Sequence, residues 1–201
     1  MKLSILDRIF LLLAALLAAY QVAAGIQGMD TLPIIAYTIG FGVLLVANLL
    51  LLILGFDALE SPVVVIVSTV IPLSLSLGLV WEHLTTWRVL YLVFACLGFL
   101  AILITRLAPV RNKLPVFVLA GVHGIAGLTI FLLPIILAIQ GKAHALFALV
   151  GVGGMLIGLG GLLLSFLKGG KPILSRETIL KVLPGLLFLM TVAFVLGYSA
   201  A

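Results

Sequence analysis

The stretch LPVFVLAGVHGIAGLTIFLLP, from Leu114 to Pro134, contains one ionisable side chain, His123, and no Asp, Glu, Lys or Arg. A helix needs about 20 apolar residues to cross the roughly 30 Å hydrocarbon core of a bilayer, so this run reads as a transmembrane helix. Small residues surround the histidine at helical spacing (Ala120, Gly124, Gly127), and Arg106, Arg111 and Lys113 form the clearest basic loop just before it. The run therefore predicts a packing centre and an orientation together.

Working outward, the rest of the chain has the same character. Hydrophobic residues make up 65% of the 201 and charged residues 8%, against roughly one half and one quarter in soluble domains. Membrane-crossing runs are expected at residues 9–26, 33–56, 63–80, 89–105, 115–139, 145–167 and 179–197. The first follows Lys2 and Arg8 and ends in small residues, but its apolar stretch exceeds the roughly 7–15 residues of a signal-peptide core, so it is expected to be a retained helix. The last requires Lys181 to snorkel to the interface, and a six-helix count without it is the alternative.

The basic residues set the orientation, because cytoplasmic loops collect Lys and Arg. With seven spans and a cytoplasmic N-terminus, Lys2, Arg8, Arg106, Arg111, Lys113, Lys168, Lys171, Arg176 and Lys181 fall inside, and only Arg88 and Lys142 fall outside. The expected fold class is thus an all-α integral membrane protein, a compact seven-helix bundle forming one domain over 1–201, with the C-terminus outside and no soluble domain. Connections are short. The longest, from Lys168 to Lys181, carries Gly169, Gly170 and Pro172 to end one helix and Ser175 to cap the next. Helices two to four and five to seven both open with Leu-Pro (Leu32–Pro33, Leu114–Pro115), the one match between two halves of an inverted repeat.

The net charge is +5, but the positive charge lies in short loops between apolar runs. Nucleic-acid binding, which needs basic residues clustered on a solvated face, is not expected. The single cysteine, Cys96, lies in an apolar run and has no partner for a disulfide.

The sixth run reads GVGGMLIGLGG from Gly151 to Gly161. Small residues let helix backbones approach closely in lipid, so Gly154, Gly158 and Gly161 on this run, with Gly124 and Gly127 on the fifth, are expected to pack helices together. A phosphate-cradling glycine loop would need a strand-turn-helix context that a membrane span does not offer.

His123 lies about 12 Å from the basic end of its run at roughly 1.5 Å per residue. An intramembrane ionisable group is a functional candidate. The plain alternative is a neutral imidazole hydrogen-bonded across the bundle, with Asn48 and Ser68 as partners. Haem b ligation is a further alternative, though it lacks a second histidine at that depth. The third run combines Ser68, Thr69, Ser74 and Ser76 with Pro72, a kinked hydroxyl-bearing helix of the kind that lines a polar cavity or satisfies its own backbone.

Both tryptophans (Trp81, Trp87) and all four tyrosines (Tyr20, Tyr37, Tyr91, Tyr198) fall toward the expected outer end, beside Asp30, Glu82, His83, Arg88 and His144. Aromatic belts ordinarily mark both interfaces. This one-sided set reads either as a stabilising girdle or as an outward-facing pocket, with Tyr37, Ser76, Trp87, Glu82, His83 and His144 as ligand contacts. Glu82 and His83 are adjacent and no HxxxH pair exists, so no metal site is assigned. On the other side, Asp57 and Glu60 are expected to pair with basic loop residues.

No catalytic constellation emerges, and the chain is not expected to be an enzyme. The leading expectation is a structural or interaction subunit of a membrane assembly, in contact with lipid and with a larger membrane protein or further copies of itself, in a cytoplasmic membrane of prokaryotic type. The alternatives are a transporter or binder of a small neutral or lipidic molecule and a b-type haem or metal protein. No cofactor is assigned.

Overall fold

The computed structural model describes residues 2–108, 113–168 and 173–200, and among them every regular element is helical. Arg111, Gly169, Gly170, Lys171 and Pro172, named above for topology and helix ends, lie outside the described residues, as does the side chain of Lys168. Seven helices are long and apolar enough to cross a membrane. They are α1 (Ile5–Ala24), α2 (Thr31–Leu54), α3 (Pro62–His83), α4 (Arg88–Leu107), α5 (Leu114–Ile139), α6 (Ala148–Lys168) and α7 (Arg176–Tyr198).

Local chemistry fixes where each helix starts and stops. α1 begins four residues before the expected run because Ser4 and Asp7 form a capping box: the Asp7 N–H donates to Ser4 Oγ at 3.1 Å and the Ser4 N–H donates to Asp7 Oδ2 at 2.8 Å. Gly25 closes it with φ +69°, a left-handed conformation that favours glycine. α2 stops at Gly55 in the same way, with φ +71°, and residues Gly55–Glu60 continue as a 3-10 helix. Proline opens both α3 and α5, where its missing N–H costs nothing. Ser175 caps α7 by accepting from the Thr178 N–H at 3.1 Å.

The packing is a closed circuit. α1 lies against α2, α2 against α3, α3 against α5, α5 against α6, α6 against α7, and α7 returns to α1. There Phe10 of α1 stacks on Phe188 of α7 with ring centroids 5.5 Å apart. α4 stands outside this circuit in the groove between α3 and α5. The main core draws on all six circuit helices, through Ala18, Phe41, Leu75, Ile130, Val150 and Phe194 among others, and takes nothing from α4. A smaller cluster, Leu73, Ala95, Ile102, Val122 and Ala126, holds α4 on. An inverted repeat would make α4 and α7 equivalent; one is peripheral and the other closes the circuit, so the Leu-Pro match carries no repeat.

The buried polar side chains mostly satisfy themselves within their own helices. Asn48 donates to Leu44 O at 2.8 Å, Thr69 to Val65 O at 2.8 Å, Ser76 to Pro72 O at 2.6 Å and Thr191 to Leu187 O at 2.7 Å. This is the economical solution in lipid, where each unmet polar group costs several kcal/mol.

The end carrying Lys2, Arg8, Arg106, Lys113, Arg176 and Lys181 is opposite the end carrying Arg88 and Lys142. At the basic end Glu60 pairs with Arg176 at 3.0 Å, with the side chains 68% and 62% exposed. So exposed a pair contributes little. Glu60→Gln is expected to change unfolding stability by less than about 1 kcal/mol, and that difference should vanish in about 1 M salt, where the screening length is roughly 3 Å. Denaturation of the detergent-solubilised protein at low and high salt checks this.

Candidate functional site

The end opposite the basic loops is built from aromatic rings. Tyr37 of α2 lies flat against Gly78 of α3, where a methyl group in place of the glycine hydrogen would stand 2.5 Å from the ring carbon Cε1. Only glycine admits the ring at this position. The Tyr198 ring lies 4.6 Å from that of Tyr37, 5.8 Å from Phe41 and 6.1 Å from Phe147 between centroids. His83, at the end of α3, meets Phe147 edge-on at 5.3 Å. Glu82 stands one turn beyond Gly78 on α3.

Within this packed group Glu82 Oε2 and His83 Nε2 are buried atoms without a hydrogen-bond partner, and the hydroxyls of Tyr37 and Tyr198 have only each other. Tyr37 is 1% exposed and Tyr198 2%. Buried polar groups in folded proteins are nearly always paired, and Asn48 Oδ1, Arg106 Nε and His123 Nδ1 also lack a partner, so the unmet atoms are not confined to this end.

Beside them lies a partly open cavity of about 290 Å³, lined by Tyr20, Gln21, Gly25, Gln27, Tyr198 and Ser199 among others. Its walls are the C-terminal ends of α1 and α7. Gln21, 6% exposed, donates from Nε2 to Gly25 O at 3.0 Å.

The rim outside this group is tied by Arg88. Its guanidinium pairs with Asp30 at 3.4 Å, lies 5.6 Å over the Trp81 ring, and donates from Nε to Trp81 O. The α2 start, the α3 end and the α4 start are thereby joined.

The residues expected to form one outward pocket are dispersed. Tyr37, Glu82 and His83 belong to the aromatic group. Ser76 is fully buried and bonded within α3, and Trp87 is 56% exposed on the rim. His144 is exposed, its Nδ1 accepting from the Leu146 N–H at 3.2 Å to cap a short turn. None of these six lines the cavity. The cavity residues Gln21, Gln27 and Ser199 escape sequence reading because they flank helix ends, where an isolated polar residue looks like any loop residue.

His123 is partly buried on α5, and its Nδ1 has no hydrogen-bond partner. Asn48 and Ser68 were its expected partners; Asn48 donates to Leu44 O and Ser68 to Val65 O at 3.0 Å. Each serves its own helix because a carbonyl one turn back is nearer than any group across the bundle. His123 is roughly 24 Å along α5 from Ile139, the end near which His83 and His144 lie, at about 1.5 Å per residue. Among the described residues no three His, Cys, Asp or Glu side chains gather as a metal site.

The glycines divide sharply. A methyl on Gly151 would meet Phe131 O at 2.5 Å, and one on Gly154 would meet Ile130 C and Phe131 N at 2.9 Å, so α5 and α6 touch backbone to backbone there. Gly124, Gly127, Gly158 and Gly161 were expected to do the same, and a methyl on any of them meets nothing within 4 Å. Gly124, Gly158 and Gly161 are exposed and Gly127 is half-buried. Gly78, Gly153 and Gly197 pack tightly instead, against Tyr37, Phe194 and Val150.

The chain matches no protein-family model, no curated protein and no solved structure.

Proposed function

We propose that this chain is a non-catalytic interaction subunit of a membrane assembly, in which a transmembrane helix of a partner protein lies along the inner halves of α5 and α6. One observation carries this reading: the glycines of the α5–α6 seam are packed at Gly151 and Gly154 and open at Gly124, Gly127, Gly158 and Gly161. Lipid supplies no hydrophobic drive between helices, so association rests on close backbone approach and on interhelical hydrogen bonds. The open glycines supply the first. His123, on the same turn as Gly124 and Gly127, supplies a polar side chain for the second, one that in this chain has only the Leu119 backbone of its own helix to bond.

The basic end faces the cytoplasm in this reading, in a membrane of prokaryotic type. The support is the clustering of nine of the eleven Lys and Arg residues on that side of the sequence topology.

The test is native mass spectrometry of the protein released from its own membrane in mild detergent. The wild type is expected to carry the mass of another polypeptide. The double variant Gly158→Ala/Gly161→Ala is expected to lose it while its own unfolding midpoint does not fall, because a methyl at either position meets no neighbour of the chain. A wild-type chain that flies alone, or a double variant that keeps its companion, overturns the reading. A companion with the mass of this same chain replaces the foreign partner by a second copy.

A further inference from the structure

We propose that the basic end of the bundle binds an anionic phospholipid at the corner where α4 passes into α5, with the phosphate held by Arg106 and Lys113 and the acyl chains laid on the apolar residues beside them. This site does not depend on a partner helix along α5 and α6.

The distribution of charge carries the argument. At the end opposite the basic loops, Arg88 and Lys142 are matched by Asp30 and Glu82. At the basic end, Lys2, Arg8, Arg176 and Lys181 are matched by Asp7, Asp57, Glu60 and Glu177. These eight belong to the first residues of the chain, the 3-10 helix Gly55–Glu60 and the start of α7. Leu3, Phe56, Leu59, Leu180 and Leu183 pack those segments together, and the Glu60–Arg176 pair joins two of them.

The other five basic residues, Arg106, Arg111, Lys113, Lys168 and Lys171, have no such match. From His83 to Arg176 the chain contains no Asp or Glu. The whole formal charge of +5 therefore resides in the connection from α4 to α5 and in the segment that leaves α6. Arg106 and Lys113 are the two of these whose side chains the structure describes, and the site rests on them.

Their surroundings point the same way. Arg106 lies in the last turn of α4 and Lys113 immediately precedes α5, so a short connection holds both at one end of two helices that pack against each other. Arg88 and Arg176 each have a carboxylate, at 3.4 Å and 3.0 Å. Among the described residues Arg106 has none, and its Nε is buried without a hydrogen-bond partner. A charge without a partner is costly away from water, and the planar fork of a guanidinium matches the oxygens of a phosphate. Lys113 is exposed beside it.

Apolar surface borders the two cations. Ile104 and Leu107 on α4 and Val116 and Phe117 on α5 are all exposed. A free phosphate would use the cations alone. A phospholipid uses the cations and the apolar residues together, and basic residues between the ends of adjacent spans hold anionic headgroups in this way.

The experiment titrates phosphatidylglycerol into the full chain in an uncharged detergent and follows the thermal unfolding midpoint, with phosphatidylcholine and sodium phosphate as comparisons at equal ionic strength. Phosphatidylglycerol is expected to raise the midpoint by a few degrees, on the order of the shift that near-saturation of one site gives, and the other two are not. Arg106→Gln/Lys113→Gln should need about thirty-fold more phosphatidylglycerol for the same shift. Lys2→Gln/Arg8→Gln, at the compensated corner, should need no more than the wild type. If the first double variant melts early without lipid, Lys113→Gln alone decides, with an increase of about fivefold expected. An equal shift from phosphatidylcholine or sodium phosphate, an unchanged titration in the Arg106 and Lys113 variants, or an equal loss in the Lys2 and Arg8 variant overturns the proposal. A midpoint raised by polyglutamate and not by phosphatidylglycerol assigns the corner to an acidic protein segment and overturns it as well.

Discussion

Replacing Gly154 by alanine is expected to destabilise the protein by about 3 kcal/mol, the upper end of what overpacking costs. The added methyl would stand 2.9 Å from Ile130 C and from Phe131 N and 2.7 Å from Ile130 Cγ2. Two of those atoms belong to the backbone, and no rotamer change moves them. α5 and α6 must separate, and the separation loosens Ile130 and Val150, which belong to the main core. Gly158→Ala, one turn further on the same stripe, meets nothing within 4 Å. It should stabilise slightly, by at most the roughly 1 kcal/mol that separates alanine from glycine in a helix. Reversible unfolding of both variants in mild detergent checks the contrast. Equal effects from the two substitutions would mean that α5 and α6 do not approach each other as described.

The second large effect is expected at Phe194. This ring is fully buried, stands edge-on to Phe41 at 6.4 Å, and fills the notch left by Gly153, where a methyl would lie 2.6 Å from the ring. In a soluble core Phe→Ala costs about 3–5 kcal/mol, part of it lost transfer from water. Lipid tails are as apolar as a phenyl ring, so the transfer part falls away between folded and separated helices. The cavity part remains: roughly 100 Å³ of side chain at about 24 cal/mol per Å³ gives about 2.4 kcal/mol. Phe194→Ala should therefore lower stability by about 2–3 kcal/mol, and Phe117→Ala, at a ring 67% exposed on α5, by almost nothing. The same denaturation measurement distinguishes them. A cost at Phe194 near 5 kcal/mol would show that water, not lipid, is the medium its pocket opens to.

The helices themselves were legible because each is announced by an apolar run, and the start of α7 by Ser175; Gly25 and Gly55, which end α1 and α2, lay inside the expected runs. The disagreements at the starts have one cause: polar residues belong to helices when they cap them. Ser4 and Asp7 extend α1 backward, and Arg176 to Thr178 extend α7 before the apolar run starts. Hydropathy does not register either.

Which glycines pack was not legible. Gly151, Gly154, Gly158 and Gly161 share one stripe, and nothing in α6 distinguishes them. The difference comes from α5, whose Ile130, Phe131 and Ile135 close on the first two and which brings no atom within 4 Å of a methyl on the others. The candidate site was legible in part: Tyr37, Glu82 and His83 stood out as an aromatic and ionisable set at one end. Tyr198 joins them only because α7 closes back on α1 and α6, a long-range event with no local signature. Gln21 and Ser199 line one cavity for the same reason.

That closure orders the assembly of the chain in the membrane. Phe10 of α1 meets Phe188 only when α7, the seventh of these spans, has been inserted. In water a half-built circuit would expose this face to solvent and invite aggregation. Between lipid tails the waiting face is solvated as comfortably as it will be in the finished bundle, so the first six spans can remain a stable, open crescent. The seventh then acts as a keystone. Its arrival completes the core and, in the same movement, brings Tyr198 against Tyr37, so the aromatic end of the bundle exists only in chains synthesised through Tyr198.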